Sequence, residues 1–218
     1  MSCALCSVRK EKRFCPAVHG RICPQCCGEQ REVTLNCPTQ CPYLQQARQH
    51  EGPRRLEDIP AEELFPAIEI SERFLQDREP LIVGISHTIA KLFRSDSNLT
   101  DCEVIGALAN MARSYQRLVG SGLVYQEVLP GLAQQAITDV LRQLLQEFRE
   151  LEQEHLGYTT LKDGEVLTAL VFTLRLAHMH TSGRPRSRQF VDFLRDHLLD
   201  PQPSLATTDE PSSRIIFP

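Results

Sequence analysis

Apolar residues between about residue 60 and residue 199 recur at spacings of three and four, which is the period of an amphipathic helix. Prolines begin two of these segments, since proline is tolerated in a first helical turn: Pro80 opens the second and Pro130 the fourth. No segment after residue 50 alternates with the period of a strand, so the sequence predicts a bundle of about six helices. Their apolar positions are Leu64, Ile68, Phe74 and Leu75; Ile82, Ile85, Ile89, Leu92 and Phe93; Val104, Leu108, Met111, Tyr115 and Leu118; Ile137, Val140, Leu141, Leu144, Leu145, Phe148 and Leu151; residues 166–177; and Phe190, Phe193, Leu194 and Leu198.

The helical region contains a short internal sequence repeat. Residues 99–108 match residues 161–170 at an offset of 62, and Arg113 and Arg175 keep the same offset. We therefore expect two related helical hairpins, residues 80–122 and 130–183. Two units are too few for a self-supporting solenoid, so we expect them to pack face to face as a bundle with the first and last helices covering the ends.

Each copy of the repeat contains two acidic residues near its start, Asp101 and Glu103 in the first and Asp163 and Glu165 in the second. A symmetric acidic site for a cation is one interpretation. Helix capping is the alternative that we prefer, because Thr100 and Glu103 have the spacing of a capping box and acidic side chains are favoured in a first helical turn.

The first 50 residues differ in kind from the rest, because eight of the chain's nine cysteines lie within residues 3–41. A segment this short cannot bury enough apolar surface to fold alone, so disulfides or metal must stabilise it. No apolar leader follows Met1, which predicts a cytoplasmic protein. In a reducing compartment clustered cysteines are metal ligands rather than disulfides.

The first predicted metal site uses two pairs, Cys3 with Cys6 and Cys23 with Cys26, which sixteen residues separate. A Cys-x2-Cys turn presents two sulfurs on one side of a tight loop. Two such turns complete a tetrahedron around Zn²⁺. This spacing is typical of a structural four-cysteine zinc site.

A second predicted site uses Cys15, Cys37 and Cys41, and its fourth ligand is open between two residues. Cys27 is the ligand that we prefer, because thiolate binds zinc readily. The alternative is His19, since Cys15 and His19 repeat the spacing of Cys37 and Cys41. The sequence therefore predicts one or two structural zinc ions.

The run Cys-Pro-Gln-Cys-Cys-Gly at residues 23–28, with Cys-Pro-x-x-Cys-Pro-Tyr-Leu at residues 37–44, resembles the N-terminal zinc segment of a group of uncharacterised bacterial proteins. In that group a helical region follows. The ending is also loosely similar to treble-clef and HIT-type fingers that mediate protein contacts. The resemblance covers residues 3–44, and it implies zinc, a treble-clef-like finger and an interaction role without a known reaction.

The charge balance argues against a nucleic-acid partner. Residues 1–50 hold seven Lys or Arg and three Glu, a formal charge of +4. Two zinc ions on eight thiolates would add a net charge of about −4 and cancel it. The other residues carry 17 basic and 25 acidic groups and would repel a phosphate backbone.

No phosphate-binding loop, nucleophile elbow or metalloprotease motif is present, so the sequence favours a protein that is not an enzyme. We expect a zinc-binding adaptor or scaffold that contacts another protein. The alternatives are a nucleic-acid-binding regulator acting through the finger and a thiol redox sensor using Cys26 and Cys27. No apolar run is long enough to span a membrane, and the oligomeric state stays open.

The expected organisation has four parts. A zinc-binding domain occupies residues 1–50, a linker residues 51–59 and a helical domain residues 60–199. A disordered tail rich in Pro, Ser and Thr occupies residues 200–218. Its apolar end, Ile215, Ile216 and Phe217, predicts docking either onto this chain or onto a partner.

Overall fold

Eight α-helices and one two-stranded hairpin make up the regular structure of the described residues, 1–96, 98–123 and 131–199, in a computed structural model. Two 3-10 turns, Leu56–Asp58 and Ala61–Glu63, connect the N-terminal finger with the helical bundle. The predicted tail, including Ile215–Phe217, lies outside the described residues. The elements are β1 (Arg13–Cys15), β2 (Gly20–Ile22), α1 (Pro24–Gln30), α2 (Pro42–Glu51), α3 (Glu72–Asp77), α4 (Glu79–Ser95), α5 (Asp101–Ser121), α6 (Leu132–Leu156), α7 (Asp163–His180) and α8 (Gln189–Leu198).

The finger is a cysteine turn, an antiparallel hairpin and a helix in that order, and its likeness to treble-clef fingers stays a prediction. In the hairpin Arg13 pairs with Ile22 and Cys15 with Gly20. Cys23 caps α1, and its Sγ accepts a hydrogen bond from the Cys26 backbone N–H. Seven of the ten buried residues in the finger's core are cysteines, so sulfur takes the place of most of a hydrophobic core.

The bundle is built around α7, whose sequence is apolar over most of its length. Helix α5 packs along α7, α8 packs along α4, and α6 lies against both α4 and α5. Buried residues on α7 extend from Val166 to His178 and occupy most of its circumference. The mainly α fold and the six helices of the bundle, α3–α8, are confirmed. Within the described ranges no helix combines the length and the hydropathy needed to cross a bilayer.

The first predicted helix is wrong over its N-terminal half. Residues 64–71 are not helical, and α3 is only six residues long. The guanidinium of Arg175 donates to the carbonyls of Leu64 at 2.9 Å, Phe65 at 2.8 Å and Ile68 at 2.9 Å. Since these bonds satisfy carbonyls that a helix would pair internally, the segment stays irregular. Phe65 has a left-handed φ of 50° that no helix allows.

Helices α4 and α5, like α6 and α7, follow one another along the chain, but the main packing joins α5 to α7, α4 to α8, and α6 to both α4 and α5. The two related hairpins and their origin by duplication therefore stay predictions. Glu103 accepts from the Thr100 backbone N–H at 2.7 Å, and Glu165 accepts from the Lys162 N–H at 2.9 Å, so both glutamates cap their helices as predicted. Asp101 does not cap its own helix in this way. It is fully buried and accepts hydrogen bonds from residues at the start of α8.

The finger packs against the bundle through the loop of residues 181–188 and the first turns of α8. The Arg186 backbone N–H donates to the Glu32 carbonyl at 2.8 Å, and the Arg188 guanidinium donates to the Cys37 carbonyl at 2.8 Å. Finger and bundle have separate cores that meet through polar contacts.

Candidate metal centre

The sulfur atoms of Cys3, Cys6, Cys23 and Cys26 form one close group, in which all four lie within 4.8 Å of one another. In a tetrahedral zinc site with bonds of about 2.3 Å, the sulfurs stand roughly 3.8 Å apart. The group is therefore near the dimensions of a metal site. It joins the two pairs that the sequence places together.

Local backbone geometry positions these sulfurs. The Ser7 backbone N–H donates to the Cys3 carbonyl at 2.8 Å and closes the first turn, in which Ser7 has a φ of 57°. The Cys23 backbone N–H donates to Cys3 Sγ at 3.2 Å and ties the first turn to the second. The Cys26 N–H donates to Cys23 Sγ at 3.4 Å. Backbone N–H groups aimed at sulfur favour the thiolate, which is the form that binds metal.

Arg9 lies beside the group of four sulfurs. Its Nη1 is 3.7 Å from both Cys23 Sγ and Cys26 Sγ. The hydrogen bond to Cys23 raises the pKa of Arg9. Because four thiolates around a divalent ion carry a net charge of −2, a neighbouring guanidinium offsets part of that charge. The basic character of residues 9–13 was the available signal, but it did not indicate contact with sulfur.

The thiols of the group have unequal acidities. Burial alone would raise the pKa of Cys3, but hydrogen bonds from the backbone of Cys6, Cys23 and Leu5 outweigh it and lower that pKa to about 6. The hydrogen bond with Cys23, followed by burial, raises the pKa of Cys26 to about 12. A metal entering the group must displace the protons that remain, so metal binding will depend on pH.

The second predicted set is buried but less closely grouped. Cys15, Cys27, Cys37 and Cys41 are each 7–8% exposed and belong to the same small core. Burial raises the pKa of Cys37, and neighbouring Cys15 and Cys41 add to the effect. Across the described part of the chain, no second group of three or more ligand atoms meets the spacing of the first. His19 is exposed, with a φ of 49° in the hairpin turn.

Comparison with known proteins assigns no relative. No family model, curated protein or solved structure matches the chain. The resemblance to bacterial finger proteins therefore stays a prediction. What stands is a four-cysteine group near the N-terminus followed by a helical domain.

Proposed function

We propose that Cys3, Cys6, Cys23 and Cys26 bind one structural Zn²⁺ ion. The mutual proximity of their four sulfurs carries this proposal. Four protein thiolates fill a tetrahedral zinc site and leave no open position for water or substrate, which is typical of structural rather than catalytic zinc. Arg9 and the N–H···S bonds would stabilise the charged form of this site.

We also propose a second zinc ion on Cys15, Cys37 and Cys41, with Cys27 as the fourth ligand. Four buried thiols without disulfides share this small core, which supports metal binding there. Burial favours Cys27 as the fourth ligand over the exposed His19. Binding would have to draw these sulfurs closer together than they stand.

Native mass spectrometry of the chain separates the two metal proposals. We expect two zinc ions in the parent protein and one in each of the variants Cys3→Ser and Cys41→Ser. A single ion that Cys3→Ser removes and Cys41→Ser leaves in place would exclude the second site and keep the first. A metal-free parent with rapidly alkylated Cys3 would exclude both.

We infer that the protein acts as a non-enzymatic adaptor whose finger contacts another protein. Three apolar side chains are strongly exposed within the first 14 residues: Met1 at 99%, Val8 at 85% and Phe14 at 55%. Scattered exposed apolar residues are ordinary, but three in one small zinc-dependent segment support a contact surface. The metal would hold this segment in shape.

Affinity capture from the native cell tests the adaptor proposal. We expect a partner that is lost after zinc chelation and lost again with the double variant Val8→Ser/Phe14→Ser. A matched double variant, Val119→Ser/Leu123→Ser, alters bundle residues that are 54% and 55% exposed and should keep the partner. A partner retained by the metal-free protein would move the function to the bundle.

The alternative functions have less support. Of the finger's cations, Arg9 contacts thiols, Arg21 pairs with Glu11 at 3.3 Å and Arg13 lies over the Tyr43 ring. These contacts within the finger reduce the charge that is available for phosphates. Redox use of Cys26 and Cys27 would need access to thiols that are only 3% and 8% exposed. A gel shift sensitive to salt would favour the nucleic-acid function, and fast alkylation of Cys27 would favour the redox function.

A further inference from the structure

A cavity of about 370 Å³ lies on the bundle, away from the cysteine groups. Its walls come from the segment that joins finger to bundle, from the first half of α5 and from the end of α7. Apolar wall positions include Ile105 and Ala109, and polar ones include Arg54, Glu63 and His178. Its volume falls within the range of small-molecule sites.

His178 is the buried polar group of this cavity. The residue is only 4% exposed, and within the described structure its ring makes no hydrogen bond. Its nearest charged neighbour is the Glu63 carboxylate, with Nε2 and Oε2 3.8 Å apart. Burial lowers the pKa of His178, so the ring is neutral near pH 7. A largely buried imidazole whose polar neighbour lies 3.8 Å away gains from a closer hydrogen bond, which a bound ligand would supply.

Arg54 provides a positive charge at the same cavity. Its backbone N–H donates to the Met179 carbonyl at 2.9 Å, while its side chain has no hydrogen bond or ion pair with the described residues. The guanidinium lies across Gly183, where Nη1 would be 3.1 Å from an added Cβ. Gly183 also has a left-handed φ of 71°. Glycine at this position therefore leaves room for the arginine to lie over the backbone.

We propose that this cavity binds a small organic monocarboxylate. The planar guanidinium of Arg54 matches a carboxylate with two parallel hydrogen bonds, and the neutral ring of His178 donates one more. Ile105 and Ala109 accept a short apolar body. Arg54 and Arg113 place two positive charges on the walls and Glu63 one negative charge, and this balance suits a single anionic charge better than a phosphate dianion.

The test uses the zinc-loaded full chain with benzoate and phenylacetate as probes and their primary amides as matched neutral controls. Saturation-transfer NMR should detect the acids and not the amides. Arg54→Gln should weaken binding by about tenfold or more, because a charge-assisted bidentate contact is lost. Arg55→Gln is the matched control, since Arg55 is exposed and does not line the cavity. Its affinity should equal that of the parent protein.

Cys102 gives a second measurement that needs no variant. This exposed thiol lines the cavity, whereas the other cysteines are buried or half-buried. A bound acid should slow alkylation of Cys102 by N-ethylmaleimide, read by peptide mass spectrometry, and the amide should not. Equal binding of acid and amide, unchanged affinity in Arg54→Gln, or no protection of Cys102 at saturating probe would each overturn the proposal.

Discussion

Replacing Arg48 by methionine should destabilise the junction between finger and bundle. Arg48 joins two carboxylates that are almost fully enclosed: its Nη2 lies 2.8 Å from Glu32 Oε1, and its Nη1 lies 2.8 Å from Asp192 Oδ2. The side chains of Glu32 and Asp192 are 3% and 9% exposed. Methionine keeps most of the apolar stem of Arg48 and removes the charge together with the two hydrogen bonds that the guanidinium donates. Two buried carboxylates are then left without their shared cation.

The expected loss of stability depends on the hydrogen bonds and ion pairs that Glu32 and Asp192 keep in the variant. Breaking a buried ion pair by removing one partner costs about 3–5 kcal/mol. Glu32 keeps a hydrogen bond from Ser182 Oγ at 3.1 Å, and Asp192 keeps Thr39 Oγ1 at 3.0 Å and Arg195 at 3.1 Å. We therefore expect the lower end, about 3 kcal/mol, which is roughly a hundredfold in the unfolding equilibrium.

Urea unfolding followed by circular dichroism and by exposure of buried thiols measures this loss. Arg55→Met is the matched control and should unfold like the parent, since Arg55 is exposed and its side chain has no partner among the described residues. The triple variant Arg48→Met/Glu32→Gln/Asp192→Asn should recover part of the stability, because it also removes the unpaired charges. If Arg48→Met lost less than about 0.5 kcal/mol, the network would be a surface-type pair and the reasoning would fail.

Three further predictions concern single sites. Burial opposes ionisation of Glu152, but hydrogen bonds from Thr160 and Leu161 outweigh it and lower its pKa to about 2. Its stabilisation is therefore complete above about pH 4.5 and is lost between that pH and about 2. Glu152→Gln should cost about 1–2 kcal/mol at pH 7, after allowance for solvent screening, and flatten the acid limb of thermal unfolding. Asp101→Ala should cost about 3 kcal/mol in urea unfolding, because it strips buried hydrogen bonds, whereas the half-exposed Asp163→Ala should cost under about 1 kcal/mol. Chelation should unfold residues 1–50, as measured by hydrogen exchange, and leave most helical dichroism intact, since 25 of the described bundle residues form a separate buried core.

Features that depend on neighbours in sequence could be predicted. The three-and-four spacing of apolar residues located α4 to α8, because burial of one helical face follows directly from that period. Glu103 and Glu165 could be recognised as caps, since the bond each makes reaches only three residues back. The four close cysteines likewise combine two local turns whose spacing suits a tetrahedron.

Features that depend on distant side chains could not be predicted. Residues 64–71 have apolar positions that suit a helix, and it is Arg175, more than 100 residues away, that takes their carbonyls. Arg9 looks like a solvated cation until the fold places it against Cys23 and Cys26. The pattern along the sequence does not contain such long-range pairings. It therefore predicts a helix for residues 64–71 and a solvent-exposed side chain for Arg9.

The two copies of the internal sequence repeat make different contacts for the same reason. Asp101 and Asp163 occupy equivalent positions, yet Ser187 Oγ donates to Asp101 at 2.6 Å while Asp163 pairs with Arg149 at 2.8 Å near the surface. The loop of residues 181–188 lies at the start of α5, where the Asp101 backbone N–H donates to the Ser187 carbonyl at 2.8 Å, and the same loop contacts the finger through Arg188 and the Cys37 carbonyl. One loop thus joins the finger, α5 and α8. If Cys37 binds metal as we propose, loss of that metal should act on Asp101, which this loop contacts, before it acts on the counterpart Asp163.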